Sequence, residues 1–332
     1  MMAILAAAKQ FGINPIKTTQ VRRAFKVQGE EGVFAIKESR QTEADILFIH
    51  AAKEYLYQQN MTNLDRYVLT PEGSPYADVS GRLFVVSPWV ESREADYGSL
   101  KDGTAAASCL ARLHKKSCGF TSELSEERNL WGLWPSMWQE RLVRMDHYKT
   151  IAAGQSVKNS FDRRFLRNID EYTAQGQEAL KLLETTQYRG ISAVYAKRGG
   201  ICHHDYSERN VLFTPKGTIH LVDFDYCISD IPVHDLVNFL RRTAKYNNYN
   251  AKATQQILET YLEENPLSKP ELALFVPLWL WPQKFWEVVH QFYGENRRRP
   301  RSRYTNRLKR RCRLKNKELR LLEEIVRSFA LS

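Results

Sequence analysis

The sequence predicts an α+β fold in two lobes, a small β-rich one at the N-terminus followed by a larger, mostly helical one. Three observations carry this. Short runs of β-branched and aromatic residues crowd the first ninety positions around a single helical pattern. After Asp96 the apolar spacing becomes helical and stays so, apart from one island of strand at 211–224. The chain has 332 residues, 43% hydrophobic and 26% charged, which is enough for a sizeable core and argues against wholesale disorder.

Taken in order, 21–27 and 33–37 have β-type composition, and Gln28-Gly29-Glu30-Glu31-Gly32 between them reads as a hairpin turn. From 42 to 57, Ile46, Ile49 and Leu56 mark one face of a helix. Leu83-Phe84-Val85-Val86 is a buried strand, ended by Ser87-Pro88-Trp89 because proline removes a ladder donor. Helices are expected over 99–114, 137–148 and 161–183, and again from His234 onward. The island splits into two short apolar strands, 211–214 and 219–222, around Pro215-Lys216-Gly217-Thr218.

That hairpin brings its ends side by side. Asp205 and Asn210 precede its first strand and Asp223 follows its second, so three oxygen-bearing side chains are expected at one edge. Phosphoryl transfer needs such a grouping: a carboxylate to take the proton of an attacking hydroxyl, and hard oxygen ligands to hold Mg²⁺ against nucleotide phosphates. His203-x-Asp205-x₄-Asn210, followed by Asp223-Phe224, has the order and spacing of kinase catalytic and metal loops. Asp205 is then the catalytic base, Asn210 and Asp223 the metal ligands, and His203 an organiser of the backbone. Each Asp or Asn alone would pass for a turn former; the joint spacing is what points to chemistry.

An upstream lysine is required, and Val33-Phe34-Ala35-Ile36-Lys37 supplies it on a strand, where it would meet the α- and β-phosphates of ATP. Its acidic partner on the following helix is expected to be Glu43, with Glu54 the alternative. Ser87, Trp89 and Val90 form the link after the strand, where backbone groups would meet the adenine. The domains drawn from this are 1–88 for ATP binding, 89–296 for a helical lobe with the catalytic and metal loops, and 297–332 for a basic C-terminal segment with a last helix.

The Asp205–Asn210 loop, Asp223-Phe224-Asp225, Asp235-Leu236 and Leu110-Ala111-Arg112-Leu113-His114 resemble the aminoglycoside phosphotransferase and choline kinase superfamily. His203-His204-Asp205 with Trp89-Val90-Glu91 is most similar to its CotS-type spore-coat proteins. The resemblance covers about residues 15 to 295. It implies a bilobal protein-kinase-like fold, ATP and Mg²⁺ as cofactors, a place in the spore coat, and a supporting rather than chemical role for Asp235. Two departures stand out. No glycine-rich G-x-G-x-x-G loop is present, and Ser207 stands where many relatives carry histidine or lysine.

Other features read more plainly. Five cysteines without a CxxC spacing argue against zinc or a disulfide framework, and Cys202 and Cys227 read as core filling. The tryptophans at 131, 134, 138, 279, 281 and 286 read first as core, with an aromatic substrate wall as the alternative. No apolar run approaches the ~18 residues of a membrane span, and Met1 to Ala8 makes a poor signal peptide, so synthesis and folding in the cytoplasm are expected. The net charge of +11 is local: 297–320 holds thirteen basic residues and one acid, leaving 36 basic and 37 acidic elsewhere. Nucleic-acid binding has only this segment in its favour; docking to other spore-coat proteins, or a merely solvated face, fits it as well. The expected function is an ATP- and Mg²⁺-dependent phosphotransferase acting on a hydroxyl of a small molecule. The alternative is a structural coat protein that keeps the fold with little turnover.

Overall fold

A computed structural model describes residues 1–294 and 300–329. The chain forms two compact units, each discontinuous in sequence. The first comprises Met1–Asn129 with Arg198–Asp235, the second Leu130–Lys197 with the chain from Leu236 onward.

The first unit opens with helix α1 (Met2–Gln10), followed by strands β1 (Pro15–Val21), β2 (Ala24–Gly29) and β3 (Gly32–Glu38) and helix α2 (Glu43–Gln58). Strands β4 (Ala77–Asp78) and β5 (Leu83–Pro88) complete an antiparallel sheet in the order β1-β2-β3-β5-β4. The run 21–27 is not one strand. The chain reverses at Arg22-Arg23, where Arg22 takes φ 59° and Val21 pairs with Ala24. A two-residue loop with positive φ matches the twist of its strands, and both arginines stay in solvent. The next hairpin closes on Glu30-Glu31 between paired Gly29 and Gly32. Gly29 is needed there, since a Cβ would lie 3.1 Å from Asn14 O and 3.0 Å from Ile13 Cγ2.

Helix α1 was not expected from the sequence. It has no side-chain cap, and its stability comes from burial. Ile4, Ala7, Ala8 and Phe11 pack with Val27, Ile36, Phe84 and Val86 in one apolar cluster. At about 1.5–3 kcal/mol for each large side chain removed from water, this burial outweighs the helix's short length. Helix α2 begins where its chemistry dictates: Thr42 accepts the Asp45 N–H and Asp45 returns a bond to the Thr42 N–H, a closed capping box. Its buried face carries Ile46, Phe48, Ile49, Ala52 and Leu56, and also Lys53.

A second small sheet of the same unit joins β6 (Arg93–Glu94), β7 (Val211–Phe213) and β8 (Ile219–Leu221). Leu64 bridges to Leu221, which ties the segment after α2 to this hairpin. Helix α3 (Leu100–Lys116), capped by Ser99, buries Ala106, Ala107, Leu110, Leu113 and His114.

The second unit is helical: α4 (Trp134–Ala153), α5 (Ser160–Thr185), α6 (Tyr188–Arg198), most of α7 (Val233–Tyr246), α8 (Ala251–Glu264), α9 (Lys269–Ala273), α10 (Phe275–Leu280), α11 (Gln283–Tyr293) and α12 (Arg301–Phe329). Aromatic stacking makes its core. Trp138 lies on Trp281 at 4.7 Å and Tyr172 on Phe285 at 3.8 Å. Five of the six tryptophans noted above, all but Trp131, are buried. They are packing residues rather than an open wall. The basic segment 297–320 is helical from Arg301; its first three arginines lie outside the described residues.

Candidate active site

The hairpin β7–β8 sets the site. Its ends are bridged by the Val222 N–H donating to Asn210 O at 3.0 Å, so Asn210 and Asp223 are neighbours. The Asn210 amide nitrogen is spent on Asp205, 2.9 Å from its backbone oxygen and 3.2 Å from Oδ2. That leaves Asn210 Oδ1 as the atom to offer a cation.

Asp223 sits in the left-handed region, φ 65° and ψ 60°. Such a backbone is uncommon for a non-glycine residue and is kept only where surroundings over-determine it. Here Asp65 does so, its Oδ2 accepting the Asp223 N–H at 3.0 Å. The carboxylates of Asp223 and Asp225 converge on the Lys37 ammonium, at 2.5 and 2.6 Å. Burial works against a charged Lys37, but the two carboxylates outweigh it and raise its pKa. Burial would also lift Asp223, yet Lys37 brings it below the usual carboxylate range. Asp225 is raised: burial and the charge of Asp223 outweigh the pull of Lys37.

The loop that carries Asp205 hangs from Asp235, in the first turn of α7. Its two oxygens accept the backbone N–H groups of His203 at 2.5 Å and His204 at 2.9 Å, and the His114 ring lies 3.3 Å away. His204 takes φ 64°, a second left-handed residue held in place by this carboxylate. Burial would raise the Asp235 pKa; the hydrogen bond and charge of His114, with His203 and His204 behind it, bring it down to about 2. His203 is fully buried, donates Nε2–H to Val222 O at 3.1 Å, and packs its ring against Phe224 at 4.5 Å. It organises backbone at both loops.

The structure thus brings Lys37, Asp205, Asn210, Asp223, His203 and Asp235 into one unit. It does not bring the expected glutamate to Lys37. Glu43 accepts the Tyr76 hydroxyl at 2.8 Å, and Glu54 makes a two-pronged pair with Arg66 at 2.9 and 2.6 Å. The α2 side chain that joins the cluster is a cation, Lys53, whose Nζ lies 2.9 Å from Asp65 Oδ1 and 3.8 Å from the Tyr67 ring centroid. Lys37 draws its acids, Asp223 and Asp225, from the loop after β8 instead. Ser87, still within β5, pairs across from Ala35; beyond the strand end the Trp89 N–H donates to Val33 O at 2.8 Å, and Val90 O accepts from Ser92.

Three contributors went unread in the sequence. Lys53 and Asp65 are two. The third is Arg128, whose buried guanidinium donates to Asp45 Oδ1 at 2.6 Å, Gln41 Oε1 at 2.8 Å, Asp225 O at 3.0 Å and Cys227 O at 2.8 Å. It fastens the Asp223–Cys227 loop to the start of α2. Cys202 and Cys227 are fully buried, and burial pushes their thiols up, Cys227 to about 12. They are inert filling.

The family model described as "Spore coat putative kinase YutH" matches residues 6–325. The chain belongs to this spore-coat family. It is 22% identical over 277 residues to spore coat protein S of Bacillus subtilis (strain 168), covering 82% of this chain and 77% of that protein. Its fold matches an aminoglycoside phosphotransferase from Alicyclobacillus acidocaldarius with a TM-score of 0.80, at 20% identity over 97% of this chain and 95% of the other. It also matches the amicoumacin kinase hAmiN, solved with AMP-PNP, Ca²⁺ and Ami, with a TM-score of 0.67 at 17% identity over 96% and 93%. The α+β, kinase-like fold and the spore-coat family expected from the motifs both hold.

Proposed function

We propose that this spore-coat family member is an ATP- and Mg²⁺-dependent phosphotransferase that moves the γ-phosphate to a hydroxyl of a small molecule. The observation that carries the proposal is the convergence of Asp223 and Asp225 on a cation, the Lys37 ammonium, beside Asn210 and Asp205. Two carboxylates and an amide oxygen are the donors a hard divalent ion takes, so the residues fit Mg²⁺. Asn210 and Asp223 would hold the ion, which when bound neutralises charge on the phosphates. Lys37 would exchange its contact with Asp223 for the α- and β-phosphates while Asp225 keeps it charged and in place. Asp205 would orient the acceptor hydroxyl and take its proton. Ser87, Trp89 and Val90 remain the proposed adenine edge.

A second reading has its own observations. The Trp89 N–H is committed to Val33 O and Lys37 to Asp223, so backbone and lysine are both engaged within the protein. That is how a coat scaffold retaining the fold with little turnover would look. In either reading the exposed cations of α12 are the proposed contact to other coat proteins.

Thermal melting with ATP, with and without Mg²⁺, on the wild type and Asp223→Ala separates the two. Metal-dependent stabilisation that vanishes in the variant is the expected result. A wild type indifferent to millimolar Mg²⁺–ATP would leave the scaffold.

A further inference from the structure

The β1–β2 turn is built from two arginines, Arg22 and Arg23, both exposed. Val21 pairs with Ala24, and Ala24 pairs with Lys37 on β3. The turn therefore stands one step beyond the row of the sheet that bears Lys37. Ala24, Lys26, Ala35 and Lys37 share one face of this sheet. Phe25, Val27, Phe34 and Ile36 turn the other way, into the apolar cluster with α1. Two cations of the hairpin reach the chain that follows β5. Lys26 Nζ lies 2.5 Å from Glu91 Oε1, and the Arg22 guanidinium pairs with Glu94. Glu94 is opposite Leu212 on β7, just past Asn210. Arg22 thus crosses from the Lys37 sheet to the sheet of the β7–β8 hairpin, as Lys37 itself does in reaching Asp223.

The chemistry of this turn is wrong for a plain connection. Two-residue hairpin turns favour asparagine and glycine, because they call for left-handed residues. Arg22 instead takes φ 59°, and two like charges sit side by side at the tip. Such backbone strain clusters at binding sites. No glycine lies between Pro15 and Gln28. A tight turn without glycine has no run of backbone N–H groups to wrap around a phosphate, so phosphate contacts from this hairpin fall to its side chains. A guanidinium suits them, with two parallel N–H groups for two phosphate oxygens. Glu94 holds Arg22 loosely: the two side chains are 55% and 41% exposed, and pairs of that kind contribute little.

We propose that Arg22 is the phosphate clamp of the nucleotide site, leaving Glu94 for the terminal phosphates of the bound nucleotide, with Arg23 adding a second positive charge at the tip. Arginine side chains thereby stand in for the missing glycine-rich backbone. Lys26 and Glu91 keep the hairpin seated while Arg22 changes partner. The proposal rests on the phosphotransferase reading above and adds to it a residue that none of the motifs contains.

The test is calorimetric titration of the full chain with Mg²⁺–ATP, with adenosine measured by competition, and melting of each variant without ligand. Arg22→Asn is expected to weaken Mg²⁺–ATP at least fivefold and adenosine by less than twofold. It is expected to melt at or above the wild-type temperature, since asparagine tolerates the left-handed turn. Glu94→Gln releases Arg22 and is expected to bind Mg²⁺–ATP as tightly as the wild type, or tighter. If the ion pair served only to shape the hairpin, Glu94→Gln and Arg22→Asn would lose affinity alike, and that result overturns the clamp. So does a smaller loss of Mg²⁺–ATP affinity in Arg22→Asn, or an equal loss for adenosine. A wild type that binds no Mg²⁺–ATP overturns the phosphotransferase reading and the clamp together, which keeps the two failures apart.

Discussion

Lys53 and Asp65 are joined twice inside the first unit: the lysine ammonium lies 2.9 Å from Asp65 Oδ1 and donates to the Asp65 backbone oxygen at 2.9 Å. Asp65 then uses Oδ2 to hold the strained backbone of Asp223. The pair links α2 to the Asp223–Asp225 loop through a lysine that the sequence pattern did not single out, while the expected Glu43 and Glu54 bond to Tyr76 and Arg66. Removing one partner of a buried ion pair strands the other. Lys53→Met is therefore expected to cost about 3–5 kcal/mol in urea unfolding. Lys53→Met with Asp65→Asn should recover much of that, because the amide oxygen still accepts the Asp223 N–H without an uncompensated charge. Equal losses in the single and double variants would show that the charge is not the reason.

Lys37 stands between two carboxylates that otherwise repel each other. Asp225 is already held above the usual range by burial, with Lys37 as its chief opposing charge. Lys37→Met removes that opposition, so the folded-state pKa of Asp225 rises further above its unfolded value. The folded variant then takes up a proton that the unfolded chain does not, and stability grows as pH falls. The loss in melting temperature caused by Lys37→Met is expected to be larger at pH 7.5 than at pH 5. A loss independent of pH over that window counts against the cluster.

Asp235 has the opposite sign. Its folded-state pKa is about 2 against an ordinary 3.8, which corresponds to a contribution on the order of 2 kcal/mol. That contribution is complete above about pH 4 and is lost as pH falls toward 2. Asp235→Asn should lower the urea midpoint at pH 6 and flatten its decline between pH 4 and pH 2. Unfolding curves at three pH values decide it.

Much of this site was legible because its chemistry lies in one short run. Asp205, Asn210 and Asp223 are separated only by a hairpin, and hairpins announce themselves by apolar runs around a Pro/Gly turn. Lys37 was legible from strand alternation. Its partners were not: a helix glutamate is the ordinary choice, and nothing local in 43–58 shows that the inward position holds Lys53. Asp65 reaches Asp223 across 158 positions and Arg128 reaches Asp45 across 83, distances over which spacing carries no signal. Helix α1 was missed for a different reason. Its apolar residues form too short a pattern to be told from any apolar start, and only the sheet beneath it makes it a helix.

Arg128 gives a prediction about mobility rather than fold. Its fork satisfies the carbonyls of Asp225 and Cys227 together with Asp45 and Gln41. A lysine keeps the charge but cannot span four acceptors in that geometry. Arg128→Lys is expected to cost about 1–3 kcal/mol through buried carbonyls left unpaired. The loss should be local: amide hydrogen exchange over 223–228 should quicken at least tenfold while α3 stays protected. Uniform quickening across both would mean that the arginine supports the whole unit instead of the 223–228 loop.

The outer face of α12 arranges charge against the helix's own interest. Arg303, Arg310, Arg313, Lys317 and Arg320 are exposed and follow one another at helical spacing, with no acid in the first turn to meet the helix dipole. Like charges three and four residues apart each cost about 0.2–0.5 kcal/mol, and cations near a helix N-terminus add to this. Arg310→Glu with Arg313→Glu should therefore leave melting unchanged or raise it slightly. If the face exists to meet acidic coat proteins, the same double variant should sharply reduce incorporation into the spore coat, measured by immunoblot of purified spores against total cell lysate. Stability kept and incorporation lost is the expected combination. Incorporation at the wild-type level would make the stripe a solvated surface and move the coat contact elsewhere on the molecule.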